Sequence, residues 1–195
     1  MPLSVAIITL FFSAFFSGVE IAFISANKLK LELDKNSGKF PANIIAYFSK
    51  NESDFITTML VGNNIALVVY GIMMTQILTP AIETYLQLPA ALLLAQTIIT
   101  TLIVLVTAEF FPKAIFRIYP NQILRIFSIP IWLFFVLFRP VALLMLHLSK
   151  VVLKHLLGQK IEEGKQVFGK IDLDEYLSNV KSADGDQENR VEVEM

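Results

Sequence analysis

The chain lacks cysteine altogether and has few charged residues, which make up 17% of its 195 residues. Without cysteine, disulfides, thiolate metal sites and cysteine nucleophiles are excluded. The shortage of charge excludes an ordinary soluble domain, since about a quarter of the residues in such a domain are charged. The chain is instead 55% apolar. This composition predicts an integral membrane protein, and the long apolar runs predict that it is all-α.

Four apolar segments are long enough to be considered as membrane spans. Residues 2–25, 55–78 and 89–111 predict three transmembrane helices, each with at most one charged side chain. Residues 123–148 contain Pro130 and Pro140, and a proline inside lipid leaves backbone groups unsatisfied. We therefore expect a broken, re-entrant or interfacial hairpin in the fourth segment, and a kinked fourth span is the alternative.

Lysine and arginine occur on one side of the predicted spans only. None precedes Lys28 and none lies between Asn51 and Pro112, whereas the segments after the first and third spans carry several. The positive-inside rule then predicts an N-terminus outside and a cytoplasmic C-terminus. Since these basic residues line the membrane edges, they predict contacts with lipid headgroups and no nucleic-acid partner.

The two ends of the chain differ in composition. Residues 1–157 are expected to form the transmembrane domain with its juxtamembrane helices. Residues 158–195 are expected to form an acidic cytoplasmic segment, with ten acidic and four basic residues from Glu162 onward. We expect this segment to lead into a regulatory domain that lies beyond this chain. Short helices are predicted at residues 28–35, 43–50 and 170–180.

The first two spans carry polar side chains where apolar ones would be expected. At 100° per residue, Ser13, Ser17 and Glu20 share one face of the first span. The second span contains the adjacent Asn63 and Asn64, which cannot both face lipid. The residues leave open which amide faces the interior, and whether the two serines bond instead to carbonyls of their own helix.

The third span contains Glu109 close to Pro112. Proline has no backbone N–H, so the Ala108 carbonyl four residues earlier loses its usual donor. A carboxylate beside an unpaired carbonyl attracts a cation, and the alternative is a Glu109–Lys113 ion pair at i, i+4. Hydroxyl, amide, carbonyl and carboxylate oxygens together favour a hard cation such as magnesium or calcium over zinc or copper. Because the set has one formal negative charge, a monovalent ion or a partly hydrated magnesium ion would also fit.

Three motifs resemble the cyclin-M / CorC family of magnesium transport proteins: SAFFSGVEIA at 13–22, LVGNN at 60–64 and AEFFPK at 108–113. The resemblance covers residues 3–155. It implies a homodimer in a bacterial cytoplasmic membrane, with three transmembrane helices per subunit. A Pro-broken juxtamembrane helical belt would follow them, in the region of Pro130 and Pro140. The resemblance also implies magnesium (Mg²⁺) export with sodium (Na⁺) as the coupling ion, and a following pair of cytoplasmic cystathionine-β-synthase-type (CBS) domains that binds ATP.

The same resemblance implies a set of cation ligands. They are Ser13, Ser17, Asn63, Glu109 and the carbonyl of Ala108, with supporting positions at Glu20, Thr58, Gly62, Asn64 and Pro112. Two positions depart from the family pattern. Relatives often have glycine where this chain has Ala108, and they often have a polar residue near Met59, where Thr58 is the closest oxygen donor.

These observations lead to one main functional hypothesis and two alternatives. The main hypothesis is a magnesium transporter with alternating access, in which the third span hinges at Pro112. The alternatives are a cation-sensing membrane regulator of another transporter and a membrane anchor for a cytoplasmic regulatory domain. No enzyme is expected, because the three predicted spans contain no histidine and no deep lysine.

Overall fold

A computed structural model describes residues 1–27 and 40–157, and within those ranges every regular element is helical. The elements are α1 Pro2–Ser25, α2 Phe40–Lys50, α3 Glu52–Ile82, α4 Pro89–Val104, a π-helix Leu105–Phe110, α5 Phe111–Ile118, α6 Pro120–Ile126 and α7 Ser128–Leu157. The all-α prediction is confirmed, and α2 confirms the short helix predicted at 43–50. The predictions for 28–35, 170–180 and the acidic segment 158–195 lie outside the described residues.

Within the described residues, four helical segments are long and apolar enough to cross a membrane: Pro2–Ser25, Glu52–Ile82, Pro89–Ile118 and Ser128–Leu153. The prediction of an integral membrane protein is therefore confirmed. Each of the three predicted spans lies within one of the first three segments, and the second and third are longer than predicted. By length and composition alone, the fourth segment qualifies as well as the others do.

The helix breaks predicted at Pro130 and Pro140 are wrong. Pro130 lies in the first turn of α7, where backbone N–H groups have no partner within the helix, and α7 continues through Pro140. The chain breaks earlier, at Tyr119 before Pro120 and again at Phe127. Proline disfavours helical geometry in the residue before it, which accounts for the first break.

Charged and aromatic contacts hold α7 beside Pro140. The Arg139 guanidinium lies 3.8 Å from the carboxylate of Asp54, in the first turn of α3. It also lies 5.6 Å from the ring centroid of Phe135, within cation–π range. The ion pair attaches α7 to the start of α3, and the cation–π contact, within α7 itself, orients Arg139 on the turn that precedes Pro140.

The apolar core consists of two separate clusters. The first, called here the α7 cluster, joins α1, α2, α3, α6 and α7 through residues that include Phe16, Phe48, Phe55 and Phe135. The second, called the α4 cluster, is formed by Ala6, Tyr70 and Met74 with partly buried residues of α1, α3 and α4. Among the described helices, only α1 and α3 contribute to both clusters, so this helix pair joins the two parts of the core.

Candidate cation site

The α1–α3 seam is antiparallel and carries one buried polar contact. Along it, the tilted rings of Phe23 and Phe55 pack with their centroids 4.3 Å apart, and Ala6 packs in the same cluster as Tyr70. Between these positions Ser13 Oγ donates a hydrogen bond to Asn63 Oδ1 at 2.6 Å. Both residues are buried, so two helices place a hydroxyl and an amide oxygen side by side between the two apolar clusters.

Asn63 and Asn64 have different surroundings. Asn63 is only 9% exposed and accepts from Ser13, whereas Asn64 is exposed on the protomer surface. The two amides lie 100° apart on α3, so only one of them can face α1. The question left open by the sequence is thereby answered: Asn63 faces the interior.

Ser17 lies one turn along α1 from Ser13 and is 1% exposed. Its Oγ has no hydrogen-bond partner among the described residues. A buried polar group without a partner costs about 1–3 kcal/mol. Ser13 bonds across helices and Ser17 Oγ has no bond to its own helix, so neither serine makes the local bond to a carbonyl that was considered as the alternative.

Thr58 is fully buried but has a local partner. Its Oγ1 donates to the Asp54 carbonyl at 2.6 Å, one turn earlier on α3. Side chains such as threonine often bond in this way within membrane helices. A supporting role of Thr58 at the cation site therefore stays a prediction.

The third wall of the site is the π-helix Leu105–Phe110, which packs against α1. Within it Ala108 is fully buried, and the N–H that follows the segment, that of Phe111, bonds to Val106 five residues earlier. Pro112 supplies no backbone N–H. In an α-helix this N–H would bond to the Ala108 carbonyl four residues earlier, and in a π-helix to the Thr107 carbonyl five residues earlier, so one of these carbonyls loses its donor. Such segments are frequent at functional sites, and no residue pattern in the sequence indicated this one.

Two glycines allow α3 and α5 to pack closely against α1. A Cβ added at Gly62 would lie 3.0 Å from the ring of Phe16. A Cβ added at Gly18 would lie 2.8 Å from the ring of Phe116. Gly62 thus brings α3 onto α1 beside Asn63, and Gly18 brings α5 onto α1 beside Ser17.

The charged groups lie together where α1 meets the start of α5. Lys113 Nζ is 3.8 Å from Glu109 Oε2, and the two side chains are 45% and 35% exposed. Glu20 is half-buried on α1, within electrostatic range of both. The ion pair considered as an alternative for Glu109 is therefore present, and a second carboxylate joins it.

Among residues 1–27 and 40–157, no three His, Cys, Asp or Glu side chains converge as a metal centre would require. The candidate site is instead built mainly from neutral oxygens, with carboxylates at one end. Ser13, Ser17, Asn63 and Ala108 are buried on the walls of α1, α3 and the π-helix, and Glu109 is half-buried. Such oxygens suit a hard cation that retains part of its water shell.

Comparison with known proteins agrees with this architecture. The profile of the cyclin M transmembrane N-terminal domain matches residues 4–190, and the chain belongs to this family. A UPF0053 protein of Mycoplasma pneumoniae is 29% identical over 133 residues. The match covers 66% of this chain but 30% of that relative, so the chain spans less than a third of the relative's length.

Proposed function

We propose that the protein transports magnesium across the membrane, through a site between α1, α3 and the π-helix. The observation that carries the proposal is the buried Ser13–Asn63 pair with the unpartnered Ser17 hydroxyl beside it. Polar groups inside a membrane domain are costly, and they mark ion pathways more often than lipid contacts. Membership of the cyclin M family supports a role related to divalent-cation transport.

The chemistry of the walls favours magnesium over softer metals. The candidate ligands are the hydroxyls of Ser13 and Ser17, the Asn63 amide oxygen, the Ala108 carbonyl and the Glu109 carboxylate. All are oxygens, and magnesium is usually held by one or two carboxylates while it keeps several waters. Few formal charges are then needed, in keeping with the single carboxylate of this set.

The burial pattern supports access from one side. Tyr70 and Ala6 each lie seven residues, or two helical turns, beyond Asn63 and Ser13, and they close the seam within the α4 cluster. At the other end Glu20 and Glu109 are only half-buried. An ion would therefore enter past the carboxylates and stop at the Ser13–Asn63 pair.

The test is magnesium flux into liposomes that contain the purified protein and a trapped fluorescent indicator. Saturable flux that rises with an opposing sodium gradient is the result expected of a sodium-coupled transporter. Saturable flux without a sodium effect would refute the coupling alone. Saturable magnesium binding without flux would refute transport and support a cation-sensing regulator. If the protein shows no binding and no flux, the hypothesis that remains is a membrane anchor.

We further propose that three helices span the bilayer and that α7 lies along its cytoplasmic face. Three phenylalanines contact α1 through their rings: Phe127, directly before α7, and Phe134 and Phe138 on α7. Together they cover about 16 Å of chain, yet their partner rings on α1 all lie within residues 12–16. A helix running parallel to α1 would advance along it residue by residue. The contacts instead indicate that α7 crosses α1 at a steep angle, as a helix in the membrane plane would.

We also propose that two copies meet along α3. Asn64 is exposed midway along this helix, where an amide facing lipid would be unfavourable. Gly71 lies on the same face two turns away, and a Cβ added there would meet nothing within 4 Å. A polar and a small residue on one open face suit close helix association in a bilayer.

The natural absence of cysteine allows one labelling experiment to test both arrangements. Single cysteines replacing Gln122, which precedes α7, and Ser149, in the C-terminal part of α7, are expected to react with an impermeant thiol reagent from the cytoplasmic side only. Reaction of the two from opposite sides would establish a fourth span. A cysteine replacing Gly71 is expected to form a disulfide-linked dimer in membranes, and a matched cysteine at Leu94 on the surface of α4 serves as the control.

A further inference from the structure

We propose that Lys113 is a tethered cation that competes with the transported ion for the carboxylate end of the site. The ammonium and the metal ion would occupy the same negative region in turn, so that ion binding displaces the side chain. This inference rests on the proposed function and adds a built-in competitor to it.

The geometry places the ammonium among the groups that a metal ion needs. Lys113 Nζ lies 3.8 Å from Glu109 Oε2, and Glu20 on the neighbouring helix interacts electrostatically with both. The lysine side chain is 45% exposed, so it has room to leave. Its flexible four-carbon stem allows the charged group to move to the interface while the backbone stays in place.

The backbone around Lys113 is held firmly. Pro112 is buried directly before it, and Phe116 packs against Gly18 one turn beyond it. Gly18 lies two residues from Glu20 on α1. The close approach of α1 and α5 therefore keeps the base of the lysine side chain near both carboxylates, so that its ammonium can leave by a change of side-chain rotamer alone.

Charge balance favours an exchange of the two cations over joint occupancy. With both carboxylates ionised, Glu20, Glu109 and Lys113 carry −2 + 1 = −1. A magnesium ion added to all three would bring the group to +1, with two cations in mutual repulsion. If the ammonium leaves, the two carboxylates and the metal ion sum to zero. Displacement therefore avoids repulsion that would be strong away from bulk water.

The first test measures magnesium binding by titration calorimetry on the wild type and on matched charge variants. Lys113→Gln is expected to bind magnesium about fivefold more tightly, since a half-exposed ion pair has a modest strength. Arg117→Gln removes an equal charge from the exposed side of the same helix and is expected to bind as the wild type does. Lys113→Arg retains the competitor and should also resemble the wild type.

The second test needs no substitution. The wild-type protein is treated with an amine-acylating reagent, and the modification of each lysine is followed by mass spectrometry. Saturating magnesium is expected to speed the reaction of Lys113, because its ammonium is released from Glu109, and to leave Lys50 unchanged.

The outcomes separate this inference from the proposed function. If the wild type binds magnesium but Lys113→Gln and Arg117→Gln have the same affinity, the competitor is refuted and the transport site stands. Slower acylation of Lys113 with magnesium would refute it equally. If the wild type shows no saturable binding, the transport site fails and the competitor fails with it.

Discussion

Replacing Glu109 by glutamine is expected to weaken magnesium binding at least about 30-fold, equivalent to about 2 kcal/mol, and to abolish flux. Glutamine keeps the size of the side chain and one oxygen but removes the negative charge next to the buried Ala108. It also leaves the Lys113 ammonium without its partner 3.8 Å away, which adds repulsion against an incoming cation. Titration calorimetry at fixed sodium measures the binding, and indicator-loaded liposomes measure the flux.

Two carboxylates serve as controls for this result. Glu83 is exposed just beyond the end of α3, and Glu83→Gln should leave binding and flux unchanged. Glu20→Gln tests the neighbouring carboxylate, which lies on α1 and is also half-buried. Loss of binding in Glu20→Gln together with full binding in Glu109→Gln would contradict the proposed ligand set and move the site toward the start of α5.

Replacing Gly62 by valine is expected to lower the free energy of unfolding by about 1–3 kcal/mol, the usual cost of overpacking a well-filled core. Even a single Cβ there lies 3.0 Å from the Phe16 ring. That ring cannot swing aside, because it is 2% exposed and has ring contacts with Phe134 and Phe138 at 5.1 and 5.8 Å. Since Asn63 is the next residue, the shift of α3 should also weaken the Ser13–Asn63 contact and magnesium binding.

The compensating variant of this pair is Phe16→Ala. Alone it leaves a cavity and is expected to be destabilising, but in combination it makes room for the valine. A double-mutant cycle on thermal unfolding in detergent should then give a combined effect smaller than the sum of the two single effects. Strict additivity would show that Gly62 and Phe16 do not determine the approach of α1 and α3.

Much of the fold follows from apolar length alone. The first span was predicted with its observed bounds Pro2–Ser25, because Pro2 begins the helix and Glu20 is its one ionisable residue. The face containing Ser13 and Ser17 also followed from helical geometry. These features are local, since they depend only on residues within a few turns of one another.

The features that were missed depend on neighbours distant in sequence. Pro140 was predicted to break the helix because the sequence does not show that Asp54, 85 residues earlier, pairs with the adjoining Arg139. The choice between Asn63 and Asn64 required knowing which side of α3 meets α1. The π-helix has no residue signature of its own, and Pro112 is the only local trace of the altered hydrogen bonding there.

The separation of the core into two clusters has a mechanical consequence. Because α2, α6 and α7 contribute to one cluster and α4 to the other, a displacement on one side reaches the opposite side through α1 and α3, or along the helical segment Pro89–Ile118, whose Phe116 packs against the α7 cluster. The hydrogen bond from Ser13 to Asn63 spans those two helices between the clusters, where polar contact replaces interlocked apolar side chains. We therefore expect the Ser13–Asn63 contact to be the point about which one half of the α1–α3 pair tilts while the other half keeps its packing.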